Sequence, residues 1–423
     1  MFNSIGSYLK TLVRKETKGL VRLIGHYQSV SLYTAKAHIV DQIGSSAFFD
    51  VVVGLADLHT AAKNAGFNIE GFRYQERILT LCGAKGKTGS VFVQPFDADD
   101  PDYEVLHTGI STEGFKRMFV TTRAFVDFAV RCLKCGAEKE DNASRYAIED
   151  LYIRFLITGE PPYNTVYVGA TTGKIALQKS ERCSYAPLFT SQVEEDFVQN
   201  VVNGRLDPVT CCFDPAEYSE DKGNTAWFAL PKELVYAADA MKNHVYSWYL
   251  KRVGTVDTWG LQCESADVIE TVCKSHAPMQ RFIGLEPRPN RIVTTVGFLK
   301  QLPKKSPLNK PKIPVITLDS TVGDGDVVAF LTDNLDGKTV MDPNTIRIHD
   351  ESNRIECPNK VRLNPEYFHR ILSWFDPGVV YIDYKDHNCD MAIYQSEDCV
   401  AKIMPLKFEE VKEEPAETEE TEG

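Results

Sequence analysis

A short helix with one apolar stripe, followed by a group of strand-like runs, recurs along this chain about six times, in arrangement rather than in letters. Ile5, Tyr8, Leu9, Leu12 and Val13 keep the i, i+3, i+4, i+7, i+8 spacing, and Leu55, Leu58, Ala62 and Ala65 repeat it until Gly66 stops the helix. Phe125, Phe128, Ala129, Cys132 and Leu133 form a third stripe, and LVYAADAM, after FALP, a fourth. GFLKQL starts a fifth that Pro303 and Pro307 interrupt. PEYFHRILSWF is the sixth, with Phe368, Ile371, Leu372 and Phe375 on its core side and His369 and Arg370 outside. Helices this short must bury their stripes on neighbouring sheets to persist. Strands come in groups between them, as in LVRLIGHYQSVSLYTAKAHIV, NTVYVGATT with KIALQKS, or VVYIDY with DMAIYQ. Grouped strands, without strict βαβα alternation, predict an α+β chain with antiparallel sheets.

The stretch LCGAKGKTGS could be a phosphate-cradling loop, and its spacing decides against that. Such a loop needs a glycine five positions before Gly86, where Leu81 stands, and it must open a helix. The run SVFVQPF, which comes next in the chain, is β-branched and aromatic, so the segment is predicted to be a β-hairpin.

Other chemistry is equally thin. Eleven scattered cysteines form no disulfide framework, and Cys132 and Cys135 lack a second pair at zinc spacing, so buried thiols are expected and no metal or cofactor. Asp324, Asp326, Asp333 and Asp336 lack the EF-hand glycine and closing glutamate, so hairpin turns explain them. Neither a Ser-His-Asp nor a His-Glu-x-x-His pattern is present, and the expectation is that the chain is not an enzyme. No apolar run reaches bilayer length and MFNSIGSYLK lacks a signal h-region, so no membrane and a cytoplasmic location are expected. Of the net charge of −12, seven units belong to residues 409–423, which hold eight glutamates and one lysine; that acidic tail is expected to be disordered. The near-neutral remainder can meet nucleic acid if its cations gather on one surface, and most of the six helices carry a basic residue opposite the apolar stripe.

Three segments carry a likeness to a known family. LNPEYFHRILSWFDPGVVYIDYKDHNCDMAIYQSEDCVAKIMPLKF resembles the last helix and strands of the bacterial-type DNA polymerase sliding clamp, the beta subunit, with Ile403-Met404-Pro405-Leu406-Lys407 at the place of its Met-Pro-hydrophobic-Arg ending. TVYVGATTGKIALQKS is similar to that family's Ala-Thr-Asp-Gly-His-Arg-Leu-Ala turn. Thr171, Gly173 and Lys174 take the Thr, Gly and His places, Ile175 falls at the leucine, and the arginine has no counterpart. ERILTLCGAKGKTGSVFVQPFDADDPDYE resembles the hairpin and acidic linker that end the first clamp domain. The departures are an excess of about fifty residues in the middle, lysine for arginine near the end, and the tail; such divergence would suit a phage or viral version.

The resemblance implies a DNA-clamp fold of three similar domains, 1–116, 117–290 with an insertion at about 183–226, and 291–408, each with two short helices packed on antiparallel sheets. It implies a head-to-tail homodimer ring that encircles double-stranded DNA without reading sequence, a processivity factor for a replicative DNA polymerase placed by a clamp loader. The implied DNA-facing residues are Lys10, Arg14, Lys63, Arg131, Lys134, Lys242, Lys300, Lys304 and Arg370. The implied partner-peptide groove takes Ile148, Thr171, Gly173, Lys174, Ile175, Ile403, Met404, Pro405 and Leu406. The competing expectation is a β-rich structural virion protein with no role in sliding.

Overall fold

The computed structural model describes residues 4–11, 13, 19–106, 110–111, 113–137, 148–157, 164–187, 199–200, 207–221, 224–272, 279, 283, 285–303, 314–323, 325–335, 338–341, 345–386 and 388–406. It divides into two compact units, 1–282 and 283–423. Arg14, Lys304, the tail and much of the 183–226 insertion lie outside the described residues.

One long sheet runs through the first unit. Its order is Ile175–Tyr185, Val209–Cys211, Lys116–Thr122, Val245–Val253, Val256–Cys263, Ala266–Val272, Ala37–Asp41, Val30–Tyr33, Leu20–Gly25 and Phe49–Gly54. Every pair is antiparallel except the first. Thr165–Thr171, Leu151–Leu156 and Phe228–Leu230 continue from its Ile175 end. A separate three-stranded sheet holds Ile69–Gln75, Ile78–Gly83 and Thr88–Phe92. The predicted hairpin is the last two of these strands, joined by the 3-10 turn Ala84–Gly86 with Lys85 and Gly86 at positive φ, and the chain leaves it as strand, not helix.

Four helices of this unit lie side by side. They are α1 (Ser4–Thr11), α2 (Leu55–Asn64), α3 (Arg123–Gly136) and α4 (Lys232–Met241). α1 packs against both α2 and α4, and α4 packs against α3, which gives the row α2, α1, α4, α3. The row is held to the sheet where Ala37–Asp41 pairs with Ala266–Val272, because α1 packs on the first of these strands and α4 on the second. Alternation fixes which face is covered: Ala37, Ile39 and Asp41 are buried while His38 and Val40 are half-exposed. Asp41 caps α1 from a distance, its two carboxylate oxygens accepting the Ser4 and Ile5 N–H groups at 2.6 and 2.7 Å. Part of the segment expected to be an insertion is built into this frame. Val209–Cys211 fills the place between two strands, and Val209, Cys211, Cys212 and Phe213 are all buried.

The second unit has two sheets. Arg354–Ile355, Asn290–Thr295, Val379–Tyr384, Met391–Ser396 and Cys399–Ile403 form one. Lys338–Met341, Val327–Leu335, Pro314–Asp319 and Lys360–Leu363 form the other, with Ile346–Ile348 on Val327–Leu335. Its helices among the described residues are the single turn α5 (Val296–Leu299) and α6 (Pro365–Trp374). Asn364 caps α6, its side-chain oxygen accepting the Glu366 and Tyr367 N–H groups, with Pro365 in the first turn. α6 touches a strand of each sheet, Pro314–Asp319 and Cys399–Ile403. Burial therefore extends beyond the predicted stripe, and His369, expected outside, is only 7% exposed, set edge-on to Phe368. Few short helices on extensive antiparallel sheets make the chain α+β, as its sequence predicts.

Candidate functional site

The described cationic candidates of the first unit sit on the helix row. Lys10 is exposed at the end of α1, Lys63 in the last turn of α2, Lys134 in the last turn of α3, and Lys242 just after α4. Arg131 of α3 is half-buried. Lys10, Lys63 and Lys134 make no ion pair among the described residues. In the second unit, Lys300 is exposed after α5, and half-buried Arg370 lies over the Tyr367 ring at 5.7 Å.

Arg123 shows why a basic residue on a helix is not always available. Helical spacing groups it with the outward cations of α3, and instead it joins α3 to α4. Its guanidinium donates to Asp127 at 2.6 Å, to the Asp239 carbonyl at 2.7 Å and to the Asp239 carboxylate. Partial burial pulls its pKa down, but Tyr246, Asp239 and Asp127 outweigh that and hold it above the ordinary value. Cys132 is closed to chemistry for a related reason. Cys132 is fully buried and its thiol is pushed well up by that burial, which opposes the thiolate that a metal or a nucleophile requires. Asp326 is also committed, its carboxylate taken by Arg347 and His349.

The turn from Thr171 to Ile175 is tightly wired. Thr171 donates its hydroxyl to the Ile175 carbonyl and accepts from Gly173 N–H, both at 2.9 Å, while the Thr172 hydroxyl oxygen accepts from Lys174 and Ile175 N–H at 3.1 Å. Gly173 takes φ +81° with open space where a Cβ would stand. Thr171 and Ile175 are buried, so the surface this turn offers is Gly173 and Lys174. Ile148 is half-buried in the turn before Leu151–Leu156.

In the second unit the last strand stops at Ile403, although the apolar letters of VAKIMPLKF read as strand to 408. Ile403 is wholly buried and Pro405 is buried, Met404 is 40% exposed and Leu406 is half-buried. The Leu406 N–H donates to the Arg362 carbonyl at 2.8 Å, which fixes the segment beyond the strand.

Beside it lies a charge cluster that sequence reasoning misses. Asp390 accepts from Arg288 at 2.5 Å and pairs with Lys402 at 2.8 Å. The available signal is a lysine inside the apolar strand Cys399–Ile403. Burial pushes the Asp390 carboxyl up, but Lys402 and Arg288 outweigh burial and hold it below the ordinary carboxylate value. A depressed folded-state pKa gives stability that is present above the unfolded value of 3.8 and is lost as pH falls through the folded one. Asp390→Asn is therefore expected to cost about 2 kcal/mol at pH 7, with the gap to wild type closing below pH ~4. Urea titrations at a series of pH values measure this, and a pH-independent gap would refute the ion-pair account.

No helix among the described residues is long and apolar enough to cross a membrane. No protein-family model matches the chain, and no curated protein matches it by sequence. Solved structures do match its shape. The Helicobacter pylori beta clamp bound to a DNA ligase peptide is 11% identical, with a TM-score of 0.60 over 96% of this chain and 98% of that one. The DNA polymerase III beta subunit of Thermotoga maritima is 12% identical, with a TM-score of 0.61 over 96% and 97% of the two chains. For the DNA polymerase sliding clamp of Caulobacter crescentus the values are 11%, 0.62, 95% and 96%. Along nearly its whole length, this chain has the fold of the bacterial DNA polymerase III beta clamps.

Proposed function

We propose that this chain is a DNA sliding clamp, a processivity factor without catalytic activity. The observation that carries the reading is the helix row of the first unit. Four short helices stand side by side on one continuous sheet, with Lys10, Lys63, Lys134 and Lys242 exposed along them. Long flexible cations on a rigid surface attract the phosphate backbone through water and ion release, read no base, and leave movement along the duplex cheap. Lys300 and Arg370 serve the same purpose in the second unit. Three clamp domains, 1–116, 117–290 and 291–408, and two chains joined head to tail would close the ring, since heterologous contacts close when the rotation permits.

Partner binding falls to two segments, the turn at 171–175 with Ile148, and residues 403–406. Met404 and Leu406 are the apolar anchoring points of the latter, where a few residues carry most of a peptide's affinity. The ligase peptide on the Helicobacter pylori clamp supports this kind of partner; a replicative polymerase and a clamp loader are the partners proposed here, in the cytoplasm of the cell that replicates the DNA.

The test is topological. The protein is diluted until the dimer dissociates, concentrated again with nicked circular duplex, and passed through a sizing column in high salt. Retention on the circle and loss on linearising it are expected. Equal loss from both forms, or assembly into large arrays that ignore DNA ends, would sink the reading. Replacing Lys10, Lys63, Lys134 and Lys242 by alanine should lower the salt slope of duplex binding by ~0.9 per phosphate contact removed while leaving the dimer mass unchanged. An unaltered slope would take those lysines away from the DNA.

A further inference from the structure

The cluster of Arg288, Asp390 and Lys402 has one carboxylate for two cations. Arg288 is 7% exposed and Lys402 is 6% exposed, so neither charge is well served by water. Arg288 donates through one terminal nitrogen to the Asp390 carboxylate and through the other to the Asp390 carbonyl, while its buried Nε finds no acceptor among the described residues. Lys402 has three N–H donors and, among the described residues, meets only the Asp390 carboxylate. The neighbouring cation, Arg354, donates to the Arg288 carbonyl and pairs with Glu356, so it supplies no acid to the cluster. A buried excess charge with unfilled donors costs several kcal/mol unless an anion reaches it.

The position of the cluster says where that anion enters. Lys402 stands opposite Ala392 in the sheet and directly precedes Ile403-Met404-Pro405-Leu406. Lys402 is thus two residues from Met404 along the chain. Met404, at 40% exposure, is the open residue of this segment.

We propose that the partner peptide bound along Met404–Leu406 carries an acidic side chain, and that its carboxylate completes the charge balance of Arg288 and Lys402. This deepens the peptide-binding reading above and rests on it. The chain thereby prefers an aspartate or glutamate flanking the apolar anchors, a specificity written by a buried lysine in an otherwise apolar strand. The anionic group displaces no partner from Asp390, because each cation retains unused donors for it.

The experiment uses full-length protein and synthetic peptides with one glutamine and two bulky apolar anchors, made in pairs that differ only by Glu or Gln at each flanking position. At one position the Glu peptide should bind about tenfold tighter than its Gln twin, with the advantage shrinking as salt rises. In Lys402→Met the pair should bind within about twofold of each other. The wild-type comparison requires no variant and stands even if Lys402→Met fails to fold. Equal affinity of every Glu and Gln pair for the wild type overturns this inference and leaves the peptide reading intact. Failure of all peptides to bind overturns both. A preference for Glu that emerges only after residues 409–423 are removed assigns the place to the chain's own glutamates, and that also overturns it.

Discussion

Gly89→Val is expected to leave the first unit unable to fold, and Gly89→Ala to cost about 3 kcal/mol or more. A Cβ on Gly89 would stand 1.9 Å from the Ala61 carbonyl oxygen and 2.6 Å from its carbon, both backbone atoms of α2. Gly83 meets the Ala65 carbonyl oxygen at the same 1.9 Å. The helix therefore rests on bare strand backbone at two points, and no side-chain rearrangement can make room. Moving α2 outward instead would strip Leu58, Ala61 and Ala62 of their burial and carry Lys63 out of the cationic row. Gly86 supplies the contrast from the same loop. Its φ of +73° opens onto empty space, so alanine there should cost only ~1 kcal/mol, the strain of a left-handed conformation. Urea unfolding of the two alanine variants separates the cases. A Gly89→Ala loss no larger than that of Gly86→Ala would mean that helix and strand do not approach so closely in solution.

Much of this architecture is readable because the helices are amphipathic at a clean spacing. The stripe at Leu55 to Ala65 is buried as predicted, that at Phe125 to Leu133 is buried except for half-buried Phe128, and the failed glycine spacing before Gly86 correctly turns a nucleotide loop into a hairpin. The misreadings share a physical origin. Periodicity reports one buried face, and α6 has sheet on two sides, so spacing alone puts His369 in water. A strand is read from apolar letters, yet Ile403 ends one because Leu406 gives its N–H to the Arg362 carbonyl outside the ladder. Long-range pairing leaves no local trace at all. Nothing in the letters around Asp41 says that it caps a helix 36 residues earlier, or around Asp239 that it holds Arg123 across 116 residues. The same limit applies to the candidate site. Basic residues are legible by type, but whether each is exposed, like Lys63, or committed, like Arg123, depends on which helix comes to lie beside it.

Ser90→Pro should break the proposed ring while sparing the fold of each chain. Thr88–Phe92 pairs on one side only among the described residues. Gly83 donates to the Lys87 carbonyl and Val93 to the Arg77 carbonyl, so by alternation the inward N–H groups are those of Gly89 and Val91, and that of Ser90 points out of the sheet. The chain already shows how such an edge is used. Ala266–Val272 continues into Ala37–Asp41 as an antiparallel pair, with α4 and α1 packed alongside. A head-to-tail copy would repeat that joint between Thr88–Phe92 and an edge strand of the partner. Exposed Ile78 and Phe92, directly opposite one another, would lie at the end of this contact. Proline at 90 removes the central outward donor and places a ring where the partner strand must approach, yet edge strands tolerate it. Loss of about 3 kcal/mol corresponds to a dimer more than ~100-fold weaker. Sedimentation should then show monomer at concentrations where the wild type is dimeric, with unfolding midpoints nearly equal and retention on circular DNA abolished. A Ser90→Pro protein that remains dimeric would place the subunit contact elsewhere, and one that still stays on circles as a monomer would remove the need for a ring of two chains.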